Sequence, residues 1–230
     1  MIMIDNRLLK VSEYINGDTL LDVGSDHAYL AIYAVQNDLV KNAICGEVVN
    51  GPYENSLKNV RLNMLDDKID VRLGSGLLVL ENEQVDSITI CGMGGPLIAD
   101  IIEEGFSKLI NKPRFILSAN TFAEPIRRVL VNRDYHVVDE TIVKDEKKEL
   151  YYETIVMDYG KEEYSEEELY FGPINLEKRS AMFLEKLNGE AEHLNNVIET
   201  INNKSKNKSG LDVLENRYKR IKAVLDNENK

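Results

Sequence analysis

The last two of seven apolar, β-branched runs are separated by only five polar residues, 144–148, and no other feature of the chain constrains its fold as tightly. A segment that short can close a β-hairpin, whereas two parallel strands need a crossover of a dozen residues or more. The seven runs cover 19–23, 42–48, 69–73, 85–91, 114–118, 135–143 and 149–158. Amphipathic stretches at 28–36, 52–64, 96–109 and 122–132 fall between earlier runs, and another at 5–15 leads in. The expected fold is therefore α/β, a mostly parallel seven-stranded sheet with helices on its faces and a terminal antiparallel hairpin. A plain doubly wound dinucleotide domain would instead continue strand, helix, strand.

A parallel sheet binds small molecules at the carboxyl ends of its strands, which directs attention to Leu20-Leu21-Asp22-Val23-Gly24-Ser25-Asp26-His27-Ala28. Gly24 lets a ligand approach the backbone, and the following helix offers unpaired N–H groups. Asp22 would repel a pyrophosphate but suits the ammonium of an amino-acid-like cofactor such as S-adenosylmethionine. The three glycines of a dinucleotide fingerprint are not present, so NAD is the weaker reading. Glu47 closes the second strand 23 residues after Gly24, near the interval at which an acid meets ribose hydroxyls. Two further glycine loops, Gly74-Ser75-Gly76 and Gly92-Met93-Gly94-Gly95, mark close backbone approach, with Met93 as an apolar wall for a flat ring. Asn120 ends the fifth strand, where its amide can pair with a base edge or cap a helix. Of the three histidines only His27 lies in an expected ligand loop, as a functional group or as a capping and packing residue.

The net charge of −12 argues against a protein that wraps phosphates over its whole surface. The average hides a split, since residues 1–160 carry −10 and 161–230 only −2. Within 204–222, Lys204, Lys206, Lys208, Arg217, Lys219, Arg220 and Lys222 stand against Asp212 and Glu215 alone. Apolar residues at helical spacing, from Leu187 to Ile201 and from Leu211 to Leu225, flank a polar, breaker-rich stretch at 202–210. A second domain at 161–230, a coiled-coil-like helical hairpin beside a first domain at 1–160, is expected.

Cys45 and Cys91 lie in apolar runs without metal or CxxC spacing, and read as buried strand thiols. No Ser-His-Asp order, HExxH, Walker loop or Cys/His metal spacing occurs, so hydrolase, phosphoryl-transfer and metal chemistry lack support. The N-terminus has no secretory pattern and no apolar run reaches membrane-spanning length, which predicts a cytoplasmic protein with no membrane partner.

The sheet with its terminal hairpin is similar to that of Rossmann-like methyltransferases. More specifically, Asp22-Val23-Gly24-Ser25-Asp26-His27-Ala28-Tyr29-Leu30, Glu47 with Asn50-Gly51-Pro52, Cys91-Gly92-Met93-Gly94-Gly95, the Asn120 region and the two-helix tail resemble the bacterial tRNA (adenine-N1)-methyltransferase family, which acts on adenine 22 of the D-arm. The resemblance runs from about residue 6 to the C-terminus, and the first and third of these motifs are its specific part. It implies S-adenosylmethionine held by Asp22, Gly24, Glu47, Gly74, Ser75, Gly92 and Met93. It also implies tRNA lying across the catalytic domain and the helical tail; the cost of unstacking the target adenine points to the basic 204–222 region, with Arg127, Arg128 and Arg133, as the contacts that offset it. An acid in the family pattern is replaced here by Ser75, and Gln-Pro-Asn by Ser118-Ala119-Asn120. N1 of neutral adenine already carries a lone pair, so positioning supplies most of the catalysis. Asp26 is the candidate to stabilise the cationic product, with His27 and Asn120 beside it as catalytic residues. Two other readings compete, an NAD-linked oxidoreductase and a non-catalytic protein that binds a partner through its coiled coil.

Overall fold

The computed structural model describes residues 2–145, 147–204 and 210–226, so Lys206 and Lys208 of the basic segment lie outside the described residues. Two compact units result, 1–174 and 175–230.

The first unit is built on one sheet of seven strands in the order β3-β2-β1-β4-β5-β7-β6. These are β1 (Thr19–Val23), β2 (Asn42–Glu47), β3 (Ile69–Leu73), β4 (Ser87–Met93), β5 (Arg114–Ala119), β6 (Tyr135–Asp145) and β7 (Leu150–Tyr159). The first five run parallel, while β7 inserts antiparallel between β5 and β6. The five-residue spacing thus does what it predicts. Helices α1 (Asn6–Ser12), α2 (Tyr29–Gln36), α3 (Asn50–Leu62), α4 (Gly95–Gly105) and α5 (Glu124–Val131) cover the faces, and α6 (Glu166–Phe171) follows the sheet.

Alternation along the strands divides the core. Leu21, Ile88, Ile90, Phe115, Leu117, Ile155 and Met157 belong to one buried cluster with α4 and α5 residues such as Ile98 and Ile126. The intervening positions face the other way, where Ile116 and Val156 pack with Val11 of α1 and Leu30 of α2. Asp22, Ser118 and Thr154 share that second face by the same period of two. Each is almost wholly buried.

Strand β4 runs two residues beyond its expected end, and the cause is a bulge. Register with β5 shifts between Cys91 and Met93, leaving Gly92 as the extra residue at φ +79°. Glycine takes that left-handed conformation without a steric cost, and the bulge turns the strand toward the ligand edge.

The second unit contains α7 (Pro173–Lys178, which begins in the first unit's last residues), α8 (Ala181–Lys204) and α9 (Leu211–Asp226). Arg179 Nη1, just ahead of α8, donates to the Val224 carbonyl late in α9 at 2.9 Å, and Arg217 Nε in the middle of α9 donates to Glu190 in the middle of α8 at 2.6 Å. The two helices are antiparallel. Phe183, Leu187, Ala191 and Leu194 are buried in α8, as are Ile221, Val224 and Leu225 in α9. Among the described residues no helix is long and apolar enough to cross a membrane.

Candidate active site

Asp22 ends up deep in the sheet because β1 lies between β2 and β4 and both of its faces are covered. The side chain is 3% exposed, and Thr89 Oγ1 on the adjacent β4 donates to its Oδ1 at 2.7 Å. Its other oxygen, Oδ2, is buried and has no hydrogen-bond partner among the described residues. Burial dominates the titration and pushes the carboxyl up to about 6, with the Thr89 hydrogen bond and Arg7 opposing and Glu47 reinforcing. A half-satisfied buried carboxylate in a sheet interior is costly, and the cost is characteristic of sites that await a cationic group.

Glu47, 5% exposed at the end of β2, receives Ser25 Oγ at 2.7 Å and Ser56 Oγ at 3.5 Å. The loop after β1 is thereby tied to the loop after β2. Gly24 N donates to the Gly46 carbonyl at 2.8 Å, and Gly74 N to the Glu47 carbonyl at 2.8 Å, so the ends of β1, β2 and β3 are stitched into one edge. Gly24 sits at φ +64°, and a methyl group added there would come within 2.3 Å of Met93 Cε. Met93 therefore packs over Gly24, as an apolar wall for that edge. Gly74 is close-packed as well, since a Cβ would meet Val79 at 2.9 Å. Ser75, half-buried, leads into the 3-10 turn Gly76–Val79.

The loop that follows Gly24 holds three consecutive non-glycine residues at positive φ, Asp26 at 35°, His27 at 78° and Ala28 at 58°. Each such residue costs on the order of 1 kcal/mol, and strain of this kind gathers where a loop is held for function. His27 caps nothing with its side chain. Its carbonyl accepts from Asn59 Nδ2 at 3.0 Å, its ring stacks on Tyr29 with centroids 5.2 Å apart, and Nε2 lies 3.5 Å from Asp26 Oδ1. The Asp26 side chain is 81% exposed.

The β4 and β5 loops meet on the other side of the edge. Asn120 is not a helix cap, because α5 begins after Ala123. Its backbone N donates to the Met93 carbonyl at 3.0 Å and its Nδ2 to the Gly92 carbonyl at 3.4 Å. Gly95 N donates to the Thr121 carbonyl at 2.7 Å. The edge thus brings Asp22, Gly24, Glu47, Met93 and Gly74 together on one side and Gly92 with Asn120 on the other. Among the described residues no hydrogen bond joins Asp26 or His27 to Asn120.

Two groups that the motifs do not reveal belong to this edge. Thr89 is one, and its signal is a single polar residue between Ile88 and Ile90 in an apolar run. Arg7 of α1 is the other; its guanidinium stands over the Tyr152 ring, 5.0 Å from Cζ to centroid, and faces Gly92. No local pattern announces that contact.

The expected contact of Arg127 with RNA is corrected. Arg127 is wholly buried, donates from Nε to Glu140 at 2.6 Å and from Nη2 to Glu153, and from Nη1 to the Leu169 carbonyl at 3.2 Å. It locks α5 to β6, β7 and α6. Arg128 is held by Glu124 and Glu166, and Arg133 by the Val129 carbonyl, Glu103 and the Phe106 ring. In the helical tail Arg217 bridges to Glu190 and Lys222 lies 3.1 Å from Asp226.

Comparison with known proteins bears on what such an edge does. The family described as tRNA (adenine(22)-N(1))-methyltransferase matches residues 20–223. A Bacillus subtilis (strain 168) protein, tRNA (adenine(22)-N(1))-methyltransferase, is 37% identical over 235 residues, 98% of each chain. The crystal structure of the B. subtilis M1A22 tRNA methyltransferase TrmK superposes with a TM-score of 0.89 at 36% identity, covering 98% of this chain and 100% of that one. Streptococcus pneumoniae Sp1610 in complex with S-adenosyl-L-methionine gives 0.87 at 40% identity, over 97% and 100% of the two chains. M. capricolum TrmK in complex with S-adenosyl-homocysteine gives 0.84 at 27% identity, over 97% and 98%.

Proposed function

From the premise that this chain belongs to the tRNA (adenine(22)-N(1))-methyltransferase family, we propose how its own residues carry out that reaction. The protein is an S-adenosylmethionine-dependent enzyme that methylates N1 of an adenine in tRNA. Bound at the carboxyl edge, the cofactor supplies an electrophilic methyl on a sulfonium. The edge fits such a group, since the unpaired Asp22 Oδ2 matches an ammonium and the glycine at position 24 leaves room that a Cβ would fill. That unpaired oxygen is the observation that carries the proposal.

Asp22 takes the ammonium of the donor and Glu47 its ribose hydroxyls, with Ser25 orienting the Glu47 carboxylate. Gly24, Gly74, Ser75, Gly92 and Met93 shape the walls. N1 of adenine forms its bond to the methyl carbon as the carbon–sulfur bond breaks, and the sulfonium charge passes to the purine. The Asn120 amide and the loop around Asp26 and His27 hold the adenine in line, and the Asp26 carboxylate stabilises the new charge. Holding nucleophile and methyl at about 3 to 3.5 Å is the main catalytic contribution, and no strong base or metal is called for.

A target adenine in folded tRNA must be unstacked at a cost of a few kcal/mol, which distant contacts offset. The helical tail, expected at 161–230 and forming a compact unit over 175–230, is proposed to supply them through the basic 204–222 region. Lys219, exposed on α9, is the clearest described contributor. Exchange of Lys219 for Gln is expected to weaken tRNA binding and reduce its salt dependence by about one charge, leaving donor binding intact. An unaltered salt slope removes Lys219 from the interface. A tRNA substrate supports a cytoplasmic location for the enzyme.

Calorimetric titration tests the site itself. S-adenosylmethionine is expected to bind and NAD is not; binding of NAD in preference would return the chain to the oxidoreductase reading.

A further inference from the structure

Unstacking an adenine from folded tRNA leaves the base beside it with one open face. We propose that the Phe122 ring covers that face, as the stacking platform for the base next to the target. This positioning role rests on the tRNA-methylating reading of the carboxyl edge. Phe122 lies outside the motifs that point to the site.

Exposure sets the residue apart. Of the five phenylalanines, Phe115, Phe171 and Phe183 are buried and Phe106 packs against the core, whereas Phe122 is 59% exposed. Its backbone stands at φ +48°, a left-handed conformation that a bulky side chain rarely adopts. Asp26, His27 and Ala28 share that conformation, so strain of this kind occurs in both the β1 and the β5 loops of the edge.

The β5 loop is also pinned. Asn120 N donates to the Met93 carbonyl at 3.0 Å and Gly95 N to the Thr121 carbonyl at 2.7 Å. The Phe122 carbonyl oxygen then lies so close to Gly95 that a Cβ there would stand 1.8 Å from it. These contacts fix the Phe122 backbone two residues from Asn120 and against the first turn of α4, where Leu97 is 52% exposed. A ring with two rotatable bonds on a fixed backbone gives up little freedom when a base stacks on it.

Single exposed apolar residues are common on protein surfaces. Here exposure, a left-handed backbone and a pinned loop coincide at the edge where the methyl group is transferred, and the substrate brought to that edge is RNA. A flat aromatic face is the group that proteins offer to unstacked bases. A second copy of this chain is the competing occupant, and adjacency to Asn120 favours the RNA.

Fluorescence and kinetics on the full chain separate the two. The chain contains no tryptophan, so Phe122→Trp places a single reporter at the position. Saturating tRNA transcript with adenine at position 22 is expected to quench that emission, with methylation kept near the wild-type rate. Phe122→Ala and Phe122→Leu are each expected to raise KM for tRNA about 5- to 100-fold, the range of one base–aromatic stack, whereas Phe122→Tyr stays near wild type. Calorimetry should give the same S-adenosylmethionine affinity for all of them. Emission that tRNA leaves unchanged, a Leu variant as good as wild type, or emission that shifts with protein concentration before RNA is added would overturn the assignment. If Phe122→Ala does not fold, the quenching of Phe122→Trp still decides. Failure of wild type to bind the transcript at all would instead overturn the underlying tRNA-methylating reading.

Discussion

Thr89 Oγ1 donates to Asp22 Oδ1 at 2.7 Å across the adjacent strands β1 and β4, and among the described residues this is the one hydrogen bond the buried carboxylate makes. The pair sets how the site responds to pH.

With the Asp22 carboxyl pushed up to about 6 by burial, the ionised form that an ammonium needs is lost below that pH. Donor affinity is expected to rise as pH increases through about 6 and to level off above it, with proton release on binding near the midpoint. Thr89→Val removes the stabilising donor and should move the midpoint upward by about one unit. Asp22→Asn should abolish the dependence. In the free protein the sign is opposite: the folded state holds the Asp22 proton more tightly than the unfolded chain, so stability falls as pH rises from 3.8 through about 6. Titration calorimetry in buffers of different ionisation enthalpy reads the first effect, and chemical denaturation against pH the second. A donor affinity that is flat from pH 5 to 8, near ~6, would remove Asp22 from the ammonium site.

Arg127 is a structural residue, and its loss should be felt in stability. Arg127→Ala leaves Glu140 and Glu153 buried without their shared cation, a change worth about 3 to 5 kcal/mol. Urea denaturation should show that loss. Unchanged stability together with weakened tRNA binding would restore Arg127 as an RNA contact.

Gly95 opens α4 where the β4 and β5 loops meet, and a Cβ there would stand 1.8 Å from the Phe122 carbonyl oxygen. Backbone is on both sides of that contact, so Gly95→Ala should cost about 2 to 3 kcal/mol and disturb the loop that carries Asn120. Gly51→Ala, with open space around it, serves as the control and should be neutral or slightly stabilising. Equal thermal midpoints for the two variants would contradict the packing described.

Much of this was legible before any coordinates. Strands β1 and β3 begin and end where their apolar runs do, because both are short and bounded by turn residues. The hairpin followed from chain reach alone. Asp22 and Glu47 were visible as acids closing adjacent strands, a local pattern. Arg127 stands three residues before the buried Leu130, on the same helical face, but an arginine gives no hint from composition that two glutamates wait across the sheet, so the sequence offers it as an RNA contact. Arg7 was missed for a related reason, since its contact with Gly92 joins elements 85 residues apart. The left-handed run at 26–28 was hidden because Asp, His and Ala do not signal positive φ as glycine does.

The account stands or falls on where the methyl group goes. Wild-type protein incubated with S-adenosylmethionine and tRNA, followed by nuclease digestion and mass spectrometry, should yield 1-methyladenosine confined to position 22, and Asp22→Asn should lower its yield by at least about tenfold. Wild-type protein that forms no 1-methyladenosine, or an Asp22→Asn variant that forms it as fast as wild type, would contradict the central claim.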